Sequence, residues 1–182
     1  MNLKQEADKI LYDLGLLDIL KRYGEPYPTG GYFMNLLSWR DLDITLIQEL
    51  ITEEDFFSFV CDVGTILKPY YFDGMYRVGN HAFGMGCETN ILGEPWNVDI
   101  RIRDENEHLK GQAYCERIVS RVTAEPHLGR LITDIKSAAA DAGMYGMGKN
   151  PDRHYHSVEI YSAVLDDGVG GVEEFFERYE AK

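Results

Sequence analysis

Nowhere does the chain run through the ~18 uninterrupted apolar residues that a membrane-spanning helix needs. Its first residues, Met1-Asn2-Leu3-Lys4-Gln5-Glu6, carry no basic stretch leading into an apolar one. A cytoplasmic location is the expectation that follows. Cysteine is scarce: Cys61, Cys87 and Cys115 are an odd number at wide spacing, with no Cys-x-x-Cys pair for zinc or redox work. They read as reduced, partly buried thiols. Positive charge is also short, with 18 Lys and Arg against 31 Asp and Glu, a formal net charge of −13. Capture of long nucleic acid depends on clustered cations that release counterions from phosphates, so a small substrate is expected here, and a cationic one suits the average field. A local basic pocket for one nucleotide is compatible with that average.

What is present is ordinary globular usage, 45% hydrophobic and 27% charged, far from the signature of a disordered chain. The 182 residues accommodate one domain, or one core with a helical extension. We divide them into a core over 1–104 and a helical part over 105–182. No internal repeat is found.

From Leu3 to Tyr23, apolar residues at three- and four-residue spacing predict an amphipathic helix closed by Gly24. Glu25 to Phe33 contains Pro26, Pro28, Gly30 and Gly31, and reads as a short strand entering a glycine turn. Asp41 to Ile47 alternates Leu42, Ile44 and Leu46 against Asp41, Asp43 and Thr45, the pattern of a half-buried strand. Thr52, with acids at 53 to 55, marks the start of a helix to about Leu67. Strands are expected over Tyr70 to Val78, His81 to Leu92 and Trp96 to Arg103, the last two flanking the hairpin signal Gly93-Glu94-Pro95. Helices then follow over 105–122 and 126–142. After a glycine-rich loop from Gly143 to Asp152 come two more, about Tyr155 to Leu165 and Gly171 to Glu180.

Two carboxylates two apart on a strand leave the same sheet face about 7 Å apart at the backbone. Asp41 and Asp43 can therefore reach one hard cation, and magnesium, which takes oxygen ligands and is commonly held by one or two carboxylates plus substrate phosphates, suits them. In the last strand Trp96, Val98, Ile100 and Ile102 share one face, leaving Asp99 on the other to converge from a neighbouring strand. Alternating acids also describe any solvated sheet face. The glycine pair upstream adds weight, because Gly30-Gly31 lets backbone amides approach a phosphate closely.

Gly30-Gly31, nine intervening residues, Asp41-Leu42-Asp43-Ile44 and a later strand acid, Asp99, together resemble the DNA polymerase beta superfamily of nucleotidyltransferases over about residues 20–103. The small antibiotic-modifying members, of lincosamide and aminoglycoside type, look nearest. The resemblance implies an α+β fold, a nucleotidyltransferase-like mixed sheet flanked by helices with a helical carboxyl-terminal part. It implies two Mg2+ ions on Asp41 and Asp43, with Asp99 binding metal or acting as general base, and Gly30 and Gly31 holding the triphosphate. The expected activity is magnesium-dependent transfer of a nucleoside monophosphate from an NTP to a small hydroxylated acceptor. The alternatives are a catalytically inactive binding or regulatory protein of the same fold, and a phosphodiesterase using the same metals. Arg40 stands where many members have serine; it either contacts nucleotide phosphate or pairs with Asp41 or another acid.

Other signals carry less. Gly143 to Asn150 nearly spells a P-loop, but Asn150 replaces the magnesium-ligating Ser or Thr and the stretch follows a helix-forming run, so a mobile substrate-side loop is the better reading. His154 and His156 beside Asp152 lack a third ligand at motif spacing. The aromatic stretch Tyr70, Tyr71, Phe72 and Tyr76 is expected to be a packed sheet face. Phe175 and Phe176 fit a core or a homodimer contact equally well.

Overall fold

The computed structural model describes residues 2–48, 52–77, 82–146 and 154–180. Five strands, β1 (Glu25–Pro28), β2 (Asp41–Ile47), β3 (Tyr71–Arg77), β4 (Ala82–Thr89) and β5 (Trp96–Arg103), form one mixed sheet in the order β1-β2-β5-β4-β3. β2 and β5 lie parallel at its centre, and every other pairing is antiparallel. The helices are α1 (Leu3–Asp8), α2 (Leu16–Leu20), α3 (Gly30–Met34), α4 (Glu53–Leu67), α5 (Glu105–Ala124), α6 (Pro126–Asp141), α7 (Ser157–Leu165) and α8 (Val172–Arg178). The fold is α+β, a mixed sheet flanked by helices. Two compact units divide the chain, Met1–Cys115 and Glu116–Lys182, so the sheet unit takes in the first part of α5.

The sheet is two-faced because its strands alternate. Leu42, Ile44, Leu46, Met85, Cys87, Val98 and Ile100 are buried in one cluster with Ile10, Leu16 and Leu20 from the amino-terminal helices and Phe56, Phe59, Val63 and Leu67 from α4. Burying this apolar surface, at roughly 25 cal/mol per Å² removed from water, fixes which face of β2 and β5 points inward, since a one-residue slip would reverse every side chain. Asp41, Asp43 and Asp99 are thereby committed to the opposite face. The α4 amino terminus is capped by Thr52, whose hydroxyl accepts from the Asp55 N–H at 3.1 Å, a bond of a kind that contributes about 1 kcal/mol. Deep burial pushes the Cys87 thiol up to about 11, so it stays protonated at neutral pH.

Three expectations need correction. The single helix over Leu3 to Tyr23 is broken: Lys9–Asp13 forms a wider turn, with the Leu14 N–H reaching the Lys9 carbonyl, and Gly15 at φ +80° redirects the chain into α2. The strand ending at Phe33 is shorter, because α3 begins at Gly30; the glycine turn is the entry to a short helix. Tyr70, Tyr71 and Phe72 are not a packed face. They are 57%, 55% and 44% exposed, since β3 is an edge strand with only β4 beside it.

In the second unit, Ile132, Ile135 and Ala139 of α6 and Ile160, Ala163 and Val164 of α7 are buried, and Phe175 packs against Tyr155, Phe176 and Tyr179. Phe175 is thus core. His156 sits at the amino-terminal cap of α7, where its own N–H donates to Glu159 at 3.0 Å. The stretch 147–153 of the glycine-rich loop lies outside the described residues. Among the described residues no helix is long and apolar enough to cross a membrane.

Candidate active site

The register of the parallel pair sets the site. Asp43 of β2 is the Cα partner of Asp99 of β5, and Asp41 is the partner of Asn97, so both aspartates of β2 and Asp99 rise from one face across two adjacent strands. Asn97 donates its side-chain amide to Asp41 Oδ1 at 2.8 Å. The Thr29 N–H donates to the Asp43 carbonyl at 2.8 Å, tying the end of β1 and the entry to α3 against β2.

Two glycines make room for these carboxylates. Gly30 has φ +55°, a left-handed conformation that favours glycine, and a Cβ there would lie 2.2 Å from Asp43 Oδ2. Gly86, the β4 partner of Asp99, leaves space in the same way, for a Cβ would meet Asp99 Oδ1 at 2.7 Å. Gly31 only touches Leu36 and Leu37 and approaches neither acid.

The cleft over this face has a volume of about 380 Å³ and is lined by Thr29, Gly30, Asp43, Asp99, Arg101 and Arg103, among others from β2 and α5. The pKa of Asp99 is raised, chiefly by burial; the Asp41 and Asp73 charges add to the rise, while Arg101, 3.8 Å away, and Asn97 oppose it. Arg103 is paired with Glu107 at 3.5 Å.

Arg40 is placed elsewhere. Its Nε donates to Glu6 at 2.7 Å and its Nη2 to the same carboxylate at 3.3 Å, and like Gly31 and Asp41 it is absent from the cleft lining. This pairing holds Glu6 below its ordinary pKa, through the Arg40 hydrogen bond first, against the opposing cost of burial. A depressed carboxylate pKa gives stability that is present above the unfolded-state value and lost as pH falls through the folded-state value. Glu6→Gln is therefore expected to lower the urea midpoint at pH 7, and the gap from the unaltered protein should narrow below about pH 4, near the ordinary glutamate value. A pH-independent gap would contradict this role.

A divalent cation fits the donors present, with the fit resting on carboxylate oxygens alone. Among the described residues no group of three or more His, Cys, Asp or Glu side chains is placed to hold a metal ion, so no more than two of these carboxylates would share one. Phosphate and water oxygens would have to fill the remaining positions, which is how magnesium is usually held beside a triphosphate.

No family model matches the chain, and no curated protein matches it. Solved structures do. A Cid1 poly(U) polymerase variant bound to MgATP superposes with a TM-score of 0.67 at 14% identity, covering 90% of this chain and 49% of that one. A cytoplasmic RNA terminal U-transferase gives 0.62 at 12% identity, over 89% and 46%. The GLD-2–GLD-3 poly(A) polymerase complex gives 0.59 at 11%, over 94% and 61%. The chain spans about half the length of the first two. What is shared at these identities is the fold alone.

Sequence reasoning named the three aspartates and Gly30 but missed Gly86 and Asn97. Both were accessible in principle. Gly84 and Gly86 alternate with Phe83, Met85 and Cys87, which puts the glycines on the polar face, and Asn97 precedes Asp99 by one strand period.

Proposed function

We propose that this chain is a magnesium-dependent nucleotidyltransferase that moves a nucleoside monophosphate from an NTP to a hydroxylated acceptor. The observation that carries this reading is the convergence of Asp41, Asp43 and Asp99 on one face of β2 and β5, with Gly30 backed directly against Asp43. Function belongs to a site rather than to a fold, so the weight rests on these residues.

In this mechanism Asp41 and Asp43 would hold Mg2+, with two ions expected. Bound there, the metal would neutralise charge on the phosphates and on the attacking and leaving oxygens of an in-line displacement. Gly30 admits the triphosphate close to the backbone, and Arg101 and Arg103 offer positive charge along the same cleft. Asp99, on the neighbouring strand, accepts the proton of the acceptor hydroxyl as general base. The acceptor oxygen bonds to the α-phosphorus as the bond to pyrophosphate breaks. Catalysis is then positioning and charge neutralisation.

For the acceptor we favour a small molecule, because a chain with a net charge of −13 has little to offer an extended phosphate backbone. The test is transfer from each of the four radiolabelled α-phosphate NTPs to a panel of hydroxylated small molecules and to a short RNA with a free 3′ end. Label is expected to move to a small acceptor only when Mg2+ is present, to stop on chelation and to resume when the ion is restored. Label moving to RNA alone would overturn the small-acceptor reading, and release of free nucleotide with every acceptor absent would point to hydrolysis instead.

A further inference from the structure

Three carboxylates forced onto one patch of sheet repel each other until a cation arrives, and something must hold them in place meanwhile. Asn97 is built to do this. Its backbone is fixed beside Asp41, since its N–H donates to the Arg40 carbonyl at 2.9 Å and its Cα pairs with Asp41 across the parallel ladder. From there the side-chain nitrogen donates to Asp41 Oδ1 at 2.8 Å.

The choice of residue follows from that geometry. A lysine or arginine at 97 would satisfy the acids too, but its full charge would compete with the metal for them. An aspartate would add a fourth negative charge, and an aliphatic residue would supply no donor. Gly86 completes the arrangement from the other flank by leaving the Asp99 carboxylate room beside β4. Resting on the metal-site reading above, we propose that Asn97 is a positioning residue that holds the Asp41 carboxylate and sets its oxygens for a divalent cation. Outer partners of metal-binding side chains typically change metal affinity by about 10- to 100-fold when removed.

The experiment is titration of the folded protein with Mn2+, followed by electron paramagnetic resonance of the free ion, for the unaltered chain, Asn97→Leu and Asn97→Asp. Asn97→Leu keeps the bulk and removes the donor, and should weaken Mn2+ binding by about 10- to 100-fold with the fold intact by circular dichroism. Asn97→Asp is isosteric and guards against a folding failure of the first variant. It should melt lower than the unaltered protein without metal, and the gap should close in excess Mn2+, because the cation removes the added repulsion. Asn97→Leu binding Mn2+ as well as the unaltered chain, or Asn97→Asp melting at the unaltered temperature without metal, would overturn the positioning role alone. Absence of Mn2+ binding by the unaltered chain would remove the metal-site reading itself, and this inference with it.

Discussion

Replacing Asp41 and Asp43 together by asparagine is expected to reduce nucleotide transfer at least about a thousandfold while leaving the protein folded. The size follows from what the pair supplies: if ~4 kcal/mol of transition-state stabilisation is lost with the metal, three powers of ten in rate go with it. Folding should survive because both side chains lie on the polar face, outside the cluster formed by Leu42, Ile44, Leu46 and the α4 residues. Asparagine keeps the shape and loses the charge, so the loss is assignable to chemistry. In the double variant Mg2+ should no longer promote triphosphate binding. Unaltered transfer would sink the proposed mechanism, because Asp41 and Asp43 are the acids that β2 sets on this face.

Gly30→Ala should do nearly as much damage from a position that carries no functional group. The backbone is at φ +55°, where an L side chain costs roughly 1–2 kcal/mol, and the new Cβ would sit 2.2 Å from Asp43 Oδ2. Something must move. The nearest atom belongs to a side chain, so the cheaper response is rotation of the Asp43 carboxylate away from its place beside Asp99. A metal ligand displaced by an ångström is worth about a hundredfold in rate. The expected result is a loss of about 1–2 kcal/mol in urea denaturation together with at least a hundredfold fall in kcat/KM. Gly31→Ala provides the contrast, because its Cβ would meet only Leu36 and Leu37 at 3.3 Å or beyond and should leave Asp43 in place. Equal activity of Gly30→Ala and the unaltered protein would show that the Gly30 approach is incidental.

The parts of this site legible in the sequence are those governed by a short period. β2 and β5 have the bounds that alternation predicts, Asp41–Ile47 and Trp96–Arg103, because each strand is buried on one face and solvated on the other. That alternation alone commits Asp41, Asp43 and Asp99 to their faces. The pairing of β2 with β5 was not legible, since parallel neighbours 55 residues apart leave no local trace; the number is the spacing of Asp41 and Trp96, the first residues of the two strands. Gly86 and Asn97 were missed for the same reason, as each matters only through the neighbouring strand. Arg40 shows the converse. Pairing with an acid was one of the two roles open to it, but the acid it pairs with, Glu6, lies far away in sequence on α1 and could not be named. The broken amino-terminal helix was a local failure: Gly15 was in view, but the apolar spacing continues across it and masks the break.

The most direct measurement is calorimetric titration of the unaltered chain with ATP, GTP, CTP and UTP, each with and without Mg2+. At least one triphosphate should bind, with an affinity that rises when Mg2+ is present and falls back in the Asp41→Asn, Asp43→Asn double variant. Failure of all four triphosphates to bind in the presence of Mg2+ would contradict the nucleotidyltransferase reading and leave a protein that keeps the fold without its chemistry.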